Sequence, residues 1–306
     1  MRRLRLYMLF VLTTVMLLMT GCIRENMDDC KGKVTLRFRY VGDGTTDIFA
    51  EKIDKVTMYV YSAADGSLAG VFEYDEKALD AYQGANIELY PGNYQIVCWG
   101  NAFENSTIHE GDRIAAPGHF DNTEIDTNDP LYYGTTDIAI PETLVEQDYV
   151  CQFVCSHIKV NVRLEGFVGA WTTQTGLQSR AQIDNVELAM TRLPSYTDFD
   201  NIPAADHHST YYPTLQTDEN DDTSFVTQFN TMRFKDDNDI MLQLLSGPER
   251  TVIQEFSLAE FMSKYGISVE NRNEILIPIL IRASTAGIEI AEWEQKPVTP
   301  GFDKDN

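Results

Sequence analysis

From Lys31 onward, apolar and polar positions alternate with a period of two through most of the chain, the pattern of strands with one buried and one wet face. In "KVTLRFRY", Val34, Leu36, Phe38 and Tyr40 alternate with Lys33, Thr35, Arg37 and Arg39. "DKVTMYVYSAADGSLAGVF" predicts two strands around Asp65-Gly66, a pair that tolerates the positive φ of a tight hairpin. "ANIELYPGNYQIVCWG" repeats the device, with Pro91-Gly92-Asn93 turning the chain between Ile87 and Leu89 on one side and Tyr94 to Trp99 on the other. Between Asn101 and Pro141 the alternation gives way to Asn, Asp, Thr and Gly, which predicts loop with one short strand at Leu131 to Tyr133. It returns in "DYVCQFVCSHIKVNVRLEG", where Ile158, Val160, Val162 and Leu164 face away from Lys159, Asn161, Arg163 and Glu165. "IDNVELAMTRL", "TSFVTQFNTMRF", "NDIMLQLLSG" and "EILIPILIRAS" continue in the same style.

One clear helix interrupts the strands. Ser257 and Glu260 form a capping box, Leu258, Phe261, Met262 and Tyr265 share a face, and Gly266 suits the end. Pro278 marks its strand as a candidate edge, because proline cannot donate to a ladder. Many short strands, with no alternating helices long enough for a parallel sheet, predict an all-β chain of two tandem antiparallel β-sandwich domains. Counting a leader over 1–21 and a tether over 22–32, the first sandwich spans 33–145 and the second, with the one short helix, 146–306.

The chain opens differently. Arg2, Arg3 and Arg5 precede an apolar run of about 14 residues, short of the roughly 20 that a spanning helix needs, which ends at Gly21-Cys22. This is the plan of a secretory leader. "LLMTGC" adds a small residue directly before a cysteine and resembles a lipobox, where bacterial processing acylates the cysteine and cleaves just before it. Met19 stands where Leu is favoured. Two or more acyl chains on Cys22 would give stable membrane anchoring, where one gives marginal binding.

Charge narrows the partners. The net charge is −23, and loss of the three leader arginines takes it to −26, so nucleic acid and anionic headgroups are poor partners for the body. A hydrophobic fraction of 43% keeps the chain in the globular class despite its acidity. Of five cysteines, Cys22 is the lipidation candidate, leaving Cys30, Cys98, Cys151 and Cys155 as candidate disulfide cysteines in an exported protein. Cys151 and Cys155 lie on one strand about 13 Å apart and cannot pair with each other. Cys30 bridged to one of the other three and four buried free thiols remain alternatives.

No chemistry assembles from the remaining residues. His109, His119, His157, His207 and His208 lack metal-ligand spacing, and no nucleophile elbow or phosphate loop occurs. Cys151, Cys155 and His157 sit on one strand without a third orienting group. The acidic runs "DENDD" at 218–222 and "DDND" at 236–239 lack the glycine and distal glutamate of an EF-hand and read as hydrated turns. The expectation is a protein that is not an enzyme, with no cofactor and no metal.

Several segments in order resemble the FimB-type fimbrial anchor lipoproteins, which hold fimbriae of Bacteroides-like bacteria to the outer membrane. They are Cys22 followed by Asp28-Asp29-Cys30, "KVTLRFRY", "DKVTMYVYSAADGSL", "LYPGNYQIVCWGN" and "LYYG", then "FNTMRF", "SLAEFMSKYG", "NEILIPILIR" and Trp293. The resemblance implies two transthyretin-like domains and a lipid-anchored, surface-exposed subunit of the outer membrane. Its partner would be a fimbrial shaft subunit, joined by strand addition, in which one chain's extended segment completes a neighbour's sheet. The tail "EQKPVTPGFDKDN" holds two prolines and is a poor donor, so "GIEIAEWE" is the better exchanged segment, with Gly287, Ile288, Ile290 and Trp293 as candidate residues. The alternative is a surface glycan-binding lipoprotein, which requires exposed aromatic platforms.

Overall fold

The computed structural model describes residues 30–109, 113–115, 124–143, 145–167, 171–173, 180–182, 186–284 and 287–293. The first half contributes β1 (Gly32–Arg39), α1 (Phe49–Lys52), β2 (Val56–Ser62), β3 (Leu68–Tyr74), α2 (Glu76–Ala81), β4 (Gly84–Leu89) and β5 (Gly92–Gly100). It continues through β6 (Thr107–His109), β7 (Arg113–Ala115), β8 (Tyr132–Ile140) and β9 (Gln147–Cys155). The second half holds β10 (His157–Glu165), β11 (Trp171–Thr173), β12 (Arg180–Gln182), β13 (Val186–Pro194), β14 (Tyr196–Asp198) and β15 (His208–Tyr211). After these come β16 (Gln216–Asp218), β17 (Asp221–Met232), β18 (Met241–Ser246), β19 (Thr251–Ser257), α3 (Leu258–Tyr265), β20 (Leu276–Ser284) and β21 (Gly287–Glu292).

Seven strands make one sheet in the order β3-β2-β5-β8-β9-β1-β4, with β1 and β9 parallel and every other pair antiparallel. The alternation read in β1 decides its packing: Val34, Leu36 and Phe38 are buried and the residues between them are wetter. Phe38 reaches Tyr74 of β3 with ring centroids 6.1 Å apart. Five strand spacings separate β1 from β3, roughly 24 Å in a flat sheet, so the sheet curls over and encloses its own core. The second domain sets a five-stranded sheet, β16-β17-β10-β20-β21, against a four-stranded one, β15-β13-β18-β19. Val160, Val162, Phe229 and Ile279 meet Leu188, Met190, Leu242 and Leu244 in its core, joined by Leu258, Phe261 and Met262 of α3. The N-cap half of the expected capping box forms, with Ser257 Oγ accepting from Glu260 N at 3.3 Å, and Gly266 closes the helix left-handed at φ 66°.

Tertiary pairing changes several local expectations. β8 is a nine-residue strand between β5 and β9, where the sequence predicts loop with three strand residues; its outward Thr135 and Asp137 mask the alternation. β4 and β5 flank a turn at Pro91-Gly92, yet β4 pairs with β1 and β5 with β2 and β8, so the turn carries the chain from one edge of the curled sheet to an interior strand. β9 pairs with β1 and β8, so residues 147–155 belong to the first sheet, and after Ser156 the handover to the second sheet begins with β10. Beside the expected helix stand α1 and α2, too short for a helical period to show; α2 is capped by Asp75 Oδ1, which accepts from Ala78 N at 2.9 Å. Pro278 lies in β20, which is inside the sheet between β10 and β21 instead of at its edge.

The domains share an apolar seam. Where the domains meet, β2, β5 and the start of β8 bury both faces: Met58, Ile96, Cys98 and Tyr132 point into the first core, while Tyr59, Val97, Trp99 and Tyr133 join the second. Phe199, beyond β14, closes on this outer face, its ring 5.0 Å from Tyr59 and 5.9 Å from Trp99. Polar contacts flank the seam. Tyr40 Oη donates to Glu274 at 2.6 Å, Lys52 pairs with Glu274 at 3.1 Å, and Asn273 N donates to Asp43 at 2.6 Å. Arg233 donates to the carbonyls of Cys155, Val269 and Arg272, tying the handover to the loop before β20.

His157 opens β10 at this junction, buried, with Nδ1–H donating to the Leu131 carbonyl at 2.9 Å. Burial pushes its pKa down to about 4. A base depressed in the fold leaves the unfolded chain binding more protons, so its contribution to stability is complete above the unfolded value of about 6.5 and is lost as pH falls towards 4. The loss amounts to about 3 kcal/mol. Urea unfolding across pH 7 to 4 should therefore show a difference between wild type and His157→Gln that shrinks by that amount on acidification; an unchanged difference would refute the assignment.

Candidate functional site

β21 is the outermost strand of the five-stranded sheet, antiparallel to β20 from Ile279↔Glu292 to Ser284↔Gly287. No strand pairs with its other side among the described residues. Ile288 and Ile290 lie opposite Ala283 and Ile281 and pack half-buried against the core, which fixes the register. Gly287 starts the strand at φ 136°, a conformation few residues with a Cβ adopt, and its carbonyl accepts from Ser284 Oγ at 3.2 Å. Glu289 pairs with Arg282 at 3.5 Å.

The far end of this strand accounts for Pro278. Trp293 N donates to the Pro278 carbonyl at 3.1 Å, and the proline, lacking N–H, cannot return the second bond of the pair. The ladder thus weakens where it stops. In an antiparallel pair hydrogen-bonded and non-bonded positions alternate, so with Trp293 bonded to β20, Ile288, Ile290 and Glu292 turn their backbone N–H and C=O outward. Of the four candidate residues, Ile288 and Ile290 turn backbone groups outward, where no partner strand stands among the described residues, whereas Gly287 and Trp293 sit at positions that bond towards β20.

Cys22 lies outside the described residues, as does everything after Trp293. Cys30, Cys98, Cys151 and Cys155 are free thiols, Cys30 exposed and the others buried. Cys98 and Cys151 approach each other across Gly134, where an added Cβ would stand 2.8 Å from Cys151 Sγ. They belong to β5 and β9 with β8 between, so their backbones lie roughly 10 Å apart, beyond the ~4.4–6.8 Å between Cα atoms that a disulfide spans.

Cys155 Sγ sits 3.2 Å from His157 Nδ1. Burial pushes the thiol up to about 12 and the imidazole down to about 4, the opposite of a thiolate and imidazolium pair. Among the described residues, no three His, Cys, Asp or Glu side chains gather as a metal site, and no helix is long and apolar enough to cross a membrane. The acidic runs serve the fold. Asp218 and Asp221 hold Arg163, and Asp236 accepts from Ser268 Oγ at 2.6 Å and Val269 N at 2.7 Å. Trp99 is sealed in the seam and Trp293 is half-buried on the outer face of the five-stranded sheet; the Trp171 side chain lies outside the described residues.

No curated protein matches this chain. Solved structures share its fold at low identity. A candidate polysaccharide-binding protein of Bacteroides thetaiotaomicron superposes with a TM-score of 0.66 at 15% identity, covering 86% of this chain and 99% of its own. A candidate adhesin of Bacteroides ovatus gives 0.63 at 15%, covering 88% and 95%. The fimbrial anchor protein Mfa2 from Porphyromonas gingivalis gives 0.62 at 16%, covering 86% and 98%. The family model of Mfa2, the fimbrillin-A associated anchor proteins Mfa1 and Mfa2, matches residues 27–297, most of the 306-residue chain. The chain belongs to this family of fimbrial anchor proteins.

Proposed function

We propose that this protein is a lipid-anchored subunit of the outer membrane that joins a fimbrial shaft to the cell, as the FimB-type resemblance implies. Acyl groups on Cys22 hold it to the membrane, and a strand of the last shaft subunit adds to the outward side of β21. The observation that carries the reading is family membership across residues 27–297. The unpaired side of β21 supports the mode of joining, since it offers backbone groups at Ile288, Ile290 and Glu292 in the spacing that strand addition uses. β21 is short and carries Glu289 and Glu292, devices that keep an edge from pairing with itself. β1 supports the role differently. It lies between β9 and β4, paired on both sides, so it is held within the chain's own sheet and is not the strand offered for exchange.

Two outcomes test this. Cys22→Ala is expected to move the protein from the membrane fraction to the soluble fraction and to leave fimbriae shed or of altered length, read by fractionation and electron microscopy; unchanged membrane association sinks the lipid anchor. Glu292→Pro removes an outward N–H from an exposed position while leaving the bonds to β20. It should preserve the circular dichroism spectrum and weaken shaft capture by about 2- to 10-fold, the worth of one hydrogen bond. Full capture by the folded variant counts against addition at this edge.

A further inference from the structure

The outer face of the five-stranded sheet carries a groove of about 540 Å³ beside β16 and β17, within the size range of small-ligand sites. Asn161 of β10 lines it. This side chain is only 8% exposed, and its amide makes no hydrogen bond among the described residues; it is not among the polar atoms sealed from solvent, so the amide opens onto the groove with its donors and acceptor available. Gln216 and Gln228 line the same groove with side-chain amides that likewise make no bond. Trp293 forms part of the lining and brings an indole whose ring lies 5.8 Å from the Arg163 guanidinium. Arg163 is itself held by Glu165, Asp218 and Asp221, so the indole is braced by a cation that is already neutralised.

We infer that this groove is a binding site for a neutral oligosaccharide, with Trp293 as the stacking surface and Asn161, Gln216 and Gln228 as hydroxyl partners. The chemistry selects the class. An amide offers both donors and an acceptor, matching hydroxyls that do the same, and an indole offers a flat apolar face to the C–H side of a sugar ring. An anionic ligand is disfavoured, because the remaining charged lining residues, Asp126, Asp218 and Glu219, are all acidic. The groove and the anchoring edge meet at Trp293 but use different groups: the groove uses side chains on a face of the sheet, whereas shaft addition uses the outward backbone of Ile288, Ile290 and Glu292.

The test is calorimetric titration of the full detergent-solubilised chain with maltohexaose, cellohexaose, xylohexaose and mannohexaose, with hexagalacturonate as the anionic comparator. At least one neutral hexasaccharide is expected to bind, and hexagalacturonate is expected not to. Trp293→Ala should weaken the binding by about tenfold or more, and Asn161→Leu and the exposed Gln228→Ala by about 2- to 10-fold each. Asn161→Leu keeps the side chain's size and removes only the groove-facing amide, and a circular dichroism spectrum matching the wild type identifies the folded variant. The inference is overturned if no neutral sugar binds the wild type, if the anionic comparator binds as well, or if all three folded variants bind unchanged.

Discussion

The burial of both faces of β2, β5 and the start of β8 is the constraint on which the molecule depends. A strand in a sandwich ordinarily shows alternating apolar and polar positions, but Tyr59, Val97, Trp99 and Tyr133 are apolar on the side that should be wet. Such a face would be an exposed patch on an isolated first domain. The second domain covers it with Phe199 and its neighbours, so the two sandwiches share a continuous core instead of hanging on a linker.

The handover at Ser156 follows from the same constraint. β9 and β10 are almost one continuous run of residues, yet β9 closes the first sheet beside β1 and β10 is the centre of the second, between β17 and β20. With no slack between them, the junction is fixed by short polar ties: Arg233 across three carbonyls, His157 on Leu131, and Glu274 between Tyr40 and Lys52. A body built this way would transmit load from one sandwich to the other through a packed core, as suits a member of a fimbrial anchor family. The late edge and the groove lie on the second sandwich, on the same sheet as β10.

Composition and local pattern carried far in this chain. The strand alternation of β1 and β10, the capping box at Ser257, the hairpin glycine at 66 and the all-β class follow from short-range chemistry that survives in any tertiary setting. The late edge is read one strand too early: Pro278 marks "EILIPILIRAS" as the edge, and only the pairing of β21 onto β20 moves it outward. The groove was not legible. Asn161 reads as one more outward polar residue of an alternating strand, and only the arrangement of β16, β17 and Trp293 around it makes its unpaired amide conspicuous.

The sequence by itself thus determined most of the strands, their wet and dry faces, the cap at Ser257 and the acidic character of the chain, because each depends on composition or on neighbours within a few residues. Tertiary structure decided which strands pair, where one domain ends, and why Trp99 is buried. Those outcomes depend on contacts between segments far apart in the chain: β4 leaving its turn partner for β1, β9 joining β1 in parallel, and β20 accepting Pro278 where the ladder of β21 runs out. No local period encodes them, since a strand's alternation names its faces but not its neighbours.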